Sequence, residues 1–197
     1  ILEILISKLE NAGYKNIFIS SYYLHSKIEK FIKKRKSFSN VKMLLEKKPL
    51  GTAGSIHLLR NENFNTLTVI NGDIVTDINL EALLDFHNEK LNDITVSVAD
   101  YSYSLPFGVV EFDKQYNFTV LEEKPTYNKF ILSGIYCLNK SICELVKNEH
   151  TDMPDLITMS SKLRKKIGVF PIYEYWNDVG TATKLADEIK RFKKLKL

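Results

Sequence analysis

A carboxylate follows a buried-looking apolar run in Thr66-Leu67-Thr68-Val69-Ile70-Asn71-Gly72-Asp73. The β-branched residues favour a strand there, and Gly72 lets the backbone turn sharply and approach a ligand closely. Asp73 then stands just past the carboxyl end of a strand, where open α/β sheets bind their ligands. A carboxylate so placed can present a metal ion to a nucleotide. It can equally cap the next helix or close a turn, and its neighbours in the chain have to decide. Upstream, Glu46-Lys47-Lys48-Pro49-Leu50-Gly51-Thr52-Ala53-Gly54 reads as a strand end, a turn and a helix start. Free N–H groups at a helix N-terminus attract anions and can hold a base edge. Gly51 and Gly54 let a flat ring lie close to the backbone, although ordinary helix entry explains the same residues. Downstream come, in order, Pro106-Phe107-Gly108-Val109-Val110-Glu111, Glu122-Glu123-Lys124-Pro125, Ser133-Gly134-Ile135-Tyr136 and Trp176-Asn177-Asp178-Val179-Gly180-Thr181.

The elements that must position these groups show in the apolar spacing. Ile1, Leu2, Leu5, Ile6 and Leu9 mark an amphipathic helix that Gly13 stops. A strand over Ile17–Ile19, a helix over Leu24–Ile32, a strand over Val41–Leu45 and a helix over Ala53–Leu59 follow. Then come a strand over Leu67–Ile70, a helix over Leu80–His87 and an alternating strand over Ile94–Ala99. This βαβα order predicts an α/β fold with a mainly parallel sheet and helices on both faces. In the second half, Gly108–Phe112 and Phe118–Leu121 flank a hairpin connection. Phe130–Leu138 and Gly168–Ile172 read as strands, and Met153–Leu163 and Ala182–Lys194 as helices. No repeat or flexible linker divides the chain, so one domain over 1–197 is expected.

With 197 residues the chain can bury one core, and 44% hydrophobic and 26% charged residues are ordinary for a globular protein. No apolar run approaches the ~20 residues needed to span a bilayer. Ile1 to Leu9 carries Glu3 and Lys8 and no basic leader, so no signal peptide is expected. Cys137 and Cys143 read as buried, reduced thiols, which points to the cytoplasm. The net charge of +4 gathers in Lys33 to Lys36, Arg164 to Lys166 and Lys190 to Lys196. These runs lie near helix ends and in polar loops, so a solvated surface is expected and a nucleic-acid partner is not. Tight, salt-sensitive binding of RNA or DNA would be the mark of that other class.

Taken in order, the motifs resemble the sugar-1-phosphate nucleotidyltransferase family, from Ile1 to about Lys190. The nearest likeness is to mannose-1-phosphate guanylyltransferase-like bacterial members acting on mannose-, heptose- or hexosamine-type sugar phosphates. The resemblance implies a Rossmann-like doubly wound mixed sheet, the nucleotide-diphospho-sugar transferase fold. It also implies a reaction: a sugar 1-phosphate attacks the α-phosphorus of a nucleoside triphosphate, giving a nucleotide sugar and pyrophosphate. Two anions must meet, so positioning and cations dominate. Mg²⁺ is the implied cofactor and prefers one or two carboxylates plus phosphate oxygens. By resemblance those carboxylates are Asp73 and Asp178, with capping of the last helix through Gly180-Thr181 as the plainer role of Asp178. Lys124 matches the lysine that steadies the sugar phosphate. Glu123, Gly108 and Ser133 fall at the sugar, unless Glu123 merely pairs with a surface lysine. Glu46, Pro49, Gly51, Thr52, Gly54 and Gly72 fall at the nucleotide. Glu46 stands where pyrimidine-specific relatives carry a glutamine; a carboxylate only accepts hydrogen bonds, which favours the N–H edge of guanine and hence GTP. Phe107, Tyr136 and Trp176 are expected in the core. The implied product serves surface-polysaccharide or glycan precursor synthesis. Partners are GTP and a sugar 1-phosphate, with no membrane, and a homo-oligomer is left open.

The chain also departs from the family. Members open with a strand and a glycine-rich loop containing an arginine, then a lysine-proline pair, and Ile1 falls just past that region. The absent strand would lie between Ile17–Ile19 and Leu67–Ile70. A gap one strand wide, roughly 5 Å per sheet spacing, is therefore expected, in an N-terminally incomplete domain. Leu132-Ser133-Gly134 replaces Asn-Ala-Gly, and Asn177 stands where an apolar residue is usual. A non-catalytic nucleotide-sugar-binding or interaction domain, lacking the phosphate loop, is the alternative reading.

Overall fold

The computed structural model describes residues 1–35 and 38–195; Lys36 and Lys196, members of two basic runs, lie outside them. In chain order the elements are α1 (Leu2–Asn11), β1 (Ile17–Ser21), α2 (His25–Lys33), β2 (Val41–Leu45), α3 (Gly51–Gly54), β3 (Thr66–Ile70), β4 (Ile74–Thr76), α4 (Leu80–Glu89) and β5 (Ile94–Ser104). There follow β6 (Val109–Phe112), β7 (Phe118–Glu122), β8 (Thr126–Asn139), α5 (Lys140–Cys143), α6 (Met153–Lys162), β9 (Ile167–Ile172), β10 (Trp176–Asp178) and α7 (Ala182–Leu195).

The first half forms a βαβ unit. Leu5 and Ile6 of α1 face inward, and Gly13 ends that helix at φ +81°, the left-handed geometry that glycine adopts without steric cost. β1 and β2 pair in parallel from Ile17↔Val41 to Ser21↔Leu45, over a core of Ile6, Ile17, Ile32 and Phe38. The helix expected over Ala53–Leu59 is instead the single turn α3 running into a 3-10 turn, Ser55–Leu59.

A separate sheet runs in the order β3-β8-β5-β9. β8 is antiparallel to both β3 and β5, while β5 and β9 are parallel, so the sheet is mixed rather than mainly parallel. Alternate residues of β8 serve two cores. Tyr136 and Leu138 pack with Ile94, Ile142, Met153 and Leu156; Ile135 and Cys137 pack with Ile78, Leu80 and Leu83. Burial pushes the thiols of Cys137 and Cys143 up to about 11 and about 12, so both stay protonated and inert. Among the described residues no helix is long and apolar enough to cross a membrane.

The alternation read over Ile94–Ala99 does not mark a half-exposed strand, because all six residues are buried. Both faces are covered, as for a central strand, and the Thr95 hydroxyl finds partners inside, whereas that of Ser97 has none among the described residues. Asn139 donates its amide to the Asn92 carbonyl at 2.9 Å, so its oxygen accepts from His87 Nε2 at 3.0 Å. His87 Nδ1 is then the acceptor for the Thr95 hydroxyl at 2.8 Å, and Thr95 in turn accepts from Asn92 at 3.1 Å. Beyond Ala99 the strand leaves the core and continues as a ribbon with β8, from Asp100↔Phe130 to Ser104↔Thr126. The hairpin β6–β7 is inserted between its two strands, where Leu105 donates its N–H to the Pro125 carbonyl at 3.0 Å. Phe107, expected in the core, is 74% exposed, in the connection between β5 and β6 beyond the buried part of the sheet. Tyr136 is buried and Trp176 half-buried.

The gap expected between β1 and β3 is present. Among the described residues each strand has a single partner, β2 for one and β8 for the other, and the two face a groove of about 580 Å³. α1 contributes Leu5 and Ile6 to its walls, and the turn after α3 contributes Ile56 and Leu59. Leu9 and Tyr14 pack against the cores on both sides, and the Tyr14 hydroxyl reaches Thr68 Oγ1 of β3 at 2.7 Å.

Candidate active site

The groove opens at one end on Gly51, Thr52, Asn71, Gly72 and Asp73. Asn71 continues β3 by donating its N–H to Gly134 at 2.9 Å, and Ile74 closes the turn on Asn71 at 3.3 Å. The Asn71 side chain fills the space beside Gly134, where a Cβ would lie 2.8 Å from its amide nitrogen; at φ +76° that position suits glycine in any case. Gly72 faces open space, which leaves room for a ligand beside Asp73.

Asp73 and Asp178 are more than a hundred positions apart in the chain and meet here. β10 runs antiparallel to β4 with Trp176↔Thr76, Asn177↔Val75 and Asp178↔Ile74. Val179 then donates its N–H to the Asp73 carbonyl at 2.9 Å. Gly180 lies between the side chains: a Cβ there would be 3.0 Å from Asp178 Oδ1 and 3.0 Å from Asp73 Oδ2. The two oxygens thus lie within twice that distance of each other. The capping role of Asp178 is also present, since Oδ1 accepts the Gly180 N–H at 2.8 Å. Its Oδ2 accepts from Lys184 at 3.2 Å. The Gly180 amide first, and then Lys184, hold this carboxyl below its ordinary range. Lys184 escaped the sequence reading because it lies six residues on, across the start of α7, at no spacing that suggests a pair.

Among the described residues no group of three or more His, Cys, Asp or Glu could hold a metal ion. A two-carboxylate site suits Mg²⁺, which keeps water or phosphate oxygens in its other positions, so the pair fits the implied cofactor.

The expected N–H cradle at α3 is not free. Ala53 and Gly54 donate to the Thr151 carbonyl at 2.9 and 3.0 Å. Thr52 donates its N–H to Asp152 Oδ1 at 2.9 Å and its hydroxyl to the same atom at 3.3 Å. Met153 N–H, at the start of α6, returns to Thr52 Oγ1 at 2.8 Å. Nor do Gly51 and Gly54 leave room for a ring on this side: a Cβ on Gly51 would sit 2.7 Å from Asp152 Oδ1, and one on Gly54 2.7 Å from the Glu149 carbonyl. Their lack of a side chain admits the chain's own 149–152 segment. Glu46 fixes the turn before α3 by accepting the Leu50 N–H on Oε2 at 3.2 Å, which leaves Oε1 to accept from a ligand. Pro49 is exposed in that turn.

On the other side, Gly108 lies against Glu123, whose Oε2 would be 3.1 Å from a Cβ there. Glu123 and Lys124 pair at 3.9 Å, both about two-thirds exposed, so the surface ion pair exists and contributes little stability. Lys124 has φ +47°. Ser133 does not face a ligand: it is fully buried, its hydroxyl donates to the Ser97 carbonyl at 3.0 Å, and its own carbonyl accepts from Trp176 Nε1 at 2.8 Å. The structure therefore gathers Asp73, Gly72 and Asp178, and separately Gly108 with Glu123, while Thr52 and Ser133 serve the fold.

The nucleotidyl transferase family model matches residues 1–194. The chain belongs to that family. Nucleotidyl transferases of the sugar-1-phosphate branch stand among its relatives. It is 30% identical over 171 residues to the glucose-1-phosphate adenylyltransferase of Bacillus subtilis, a match covering 75% of this chain and 44% of the relative. It is 24% identical over 184 residues to the mannose-1-phosphate guanylyltransferase catalytic subunit beta of Xenopus tropicalis, covering 89% and 51%. The chain thus spans about half the length of these curated relatives. In fold it is similar to HddC from Yersinia pseudotuberculosis, with TM-score 0.73, 22% identity, and 97% and 84% of the two chains covered; that protein has also been solved with GMP-PN. The expected family and the nucleotide-diphospho-sugar transferase fold are both confirmed.

The clasp between α3 and α6 has a pH signature. The Thr52 N–H holds the Asp152 carboxyl below its ordinary value, so its contribution is complete above that value and is lost as pH falls through the lowered one. The difference in Tm between wild type and Asp152→Ala should therefore stay constant above about pH 4 and shrink below it. A difference independent of pH would mean that the carboxylate does not hold the clasp.

Proposed function

We propose that this chain carries the metal- and sugar-phosphate-binding part of a sugar-1-phosphate nucleotidyltransferase. It joins a sugar 1-phosphate to a nucleoside triphosphate, GTP in preference, and releases pyrophosphate, supplying precursors of surface polysaccharide or glycan. The observation that carries this reading is the approach of Asp73 and Asp178 over Gly180. Asp73 and Asp178 hold Mg²⁺ between them, which neutralises phosphate charge where two anions must approach. Lys124 steadies the sugar phosphate, and Glu123 with the Gly108 backbone holds sugar hydroxyls. Gly72 leaves the face of Asp73 clear for the nucleotide. A strand seated in the groove between β1 and β3 would emerge beside Gly51 and Asp73, the place from which a phosphate-holding loop reaches the cation. The relatives' names include both adenylyl and guanylyl transfer, so the preference for GTP rests on Glu46 alone. The alternative, nucleotide-sugar binding without turnover, draws support from the α3 amides, which are used up by residues 151 and 152.

In the intact protein, Asp73→Asn and Asp178→Asn should bring pyrophosphate release to background while the far-UV circular dichroism stays that of wild type. Wild-type release from either variant would sink the metal assignment; binding of a nucleotide sugar with no release from wild type would establish the alternative. Glu46→Gln should raise kcat/KM for UTP relative to GTP by about tenfold, the value of one hydrogen bond near 1.4 kcal/mol. An unchanged ratio would remove Glu46 from base selection.

A further inference from the structure

Asn177 is polar where the family resemblance led to the expectation of an apolar residue, and its surroundings account for it. Its amide donates to Glu188 Oε2, on α7, at 3.0 Å. The Tyr175 hydroxyl donates to the same oxygen, and Arg191 Nη1 donates to Glu188 Oε1 at 2.8 Å. The Glu188 side chain is only 2% exposed. Burial alone would raise its carboxyl, but the bonds from Tyr175, Asn177 and Arg191 outweigh burial and hold it below its ordinary value. The Arg191 guanidinium lies 3.4 Å over the Tyr175 ring, and its second nitrogen reaches Asp77 Oδ2 at 3.5 Å. Asp77, just past β4, donates its N–H to the Tyr175 carbonyl at 2.8 Å, and the Thr76 hydroxyl reaches the same carbonyl at 2.8 Å.

α7 is therefore fastened to β10 through one buried carboxylate, and Arg191, which that carboxylate holds, extends the contact to Asp77 just past β4. Asp73 precedes β4 and Asp178 ends β10, so the separation of the two acids is a property of this ladder. A two-stranded pair of three residues is too short to hold its own geometry in water. We infer that Asn177, Glu188 and Arg191 form a latch by which α7 sets the spacing of Asp73 and Asp178, and that they are positioning residues for the cation those acids hold. This rests on the metal reading above. None of the three touches the cation; they act on its ligands through the backbone, as outer partners do in metal sites, where their loss weakens binding about 10–100-fold.

The test uses the intact protein with Asn177→Ala and Glu188→Gln, and Lys190→Ala as a control on the exposed face of α7. Mn²⁺ affinity is titrated by electron paramagnetic resonance. Amide hydrogen exchange is followed without metal at Val179, whose N–H closes the ladder on Asp73, and at Val96 in the central sheet. The latch predicts Mn²⁺ binding about tenfold weaker or more and faster exchange at Val179, with Val96 unchanged and the control like wild type. Wild-type Mn²⁺ affinity in both variants would overturn it, as would exchange rising equally at Val179 and Val96, the mark of a general loss of stability. Asp73→Asn separates the two levels. If it leaves Mn²⁺ affinity unchanged, the metal reading itself falls and the latch with it; if it abolishes binding while the latch variants do not weaken it, only the latch falls. Arg191→Lys, which keeps the charge without the paired N–H geometry, serves as the milder variant should either of the others fail to fold.

Discussion

The site depends on an antiparallel ladder of three residue pairs between β4 and β10. Two carboxylates that repel one another have to be held side by side in the absence of a cation, and neither is on a long element. Main-chain pairing and the Val179–Asp73 bond set the backbone, while Gly180 supplies the room. Donors placed around Asp178, from the Gly180 amide and Lys184, stabilise its charged form. Without a ligand, Lys184 provides part of the positive charge that a divalent ion would bring. That exposed pair is weak enough to be displaced.

The sheet around this ladder is open in one place. β1 and β3 leave one edge each facing the groove, and unpaired main-chain groups kept from water cost about 1–3 kcal/mol each. Apolar walls from α1 and from Ile56 and Leu59 make the groove suited to a strand buried on both faces. Its polar mouth at Gly72 and Asp73 places the end of such a strand where phosphates would meet the cation. On the proposed reading, the open edge of the sheet and the proposed cation site thus lie at one location.

Elements that carry a local pattern were legible in the sequence. The β-branched run before Asp73, the 3–4 spacing of α1 and the hairpin of β6 and β7 all appear where expected. The gap between β1 and β3 followed from the order of motifs, and a groove lies there. What escaped detection depends on partners distant in the chain. β4 and β10 are three residues each, too short for any periodicity, and exist because they pair. Thr95 and Ser97 look like outward positions of an alternating strand, but His87 and Asn92 satisfy Thr95 inside the core. Thr52 and the two glycines of α3 look like a ligand loop until the 149–152 segment is brought against them. Ser133 lies in a motif that points to the sugar, yet its hydroxyl turns inward to Ser97.

The most direct measurement is anomalous diffraction from crystals of the intact protein grown with Mn²⁺ and a GDP-sugar. A manganese peak bridged by the carboxylates of Asp73 and Asp178, in contact with the diphosphate, is the predicted result. Manganese bound elsewhere, or a GDP-sugar bound with no ion between these two acids, would contradict the assignment on which the proposed chemistry stands.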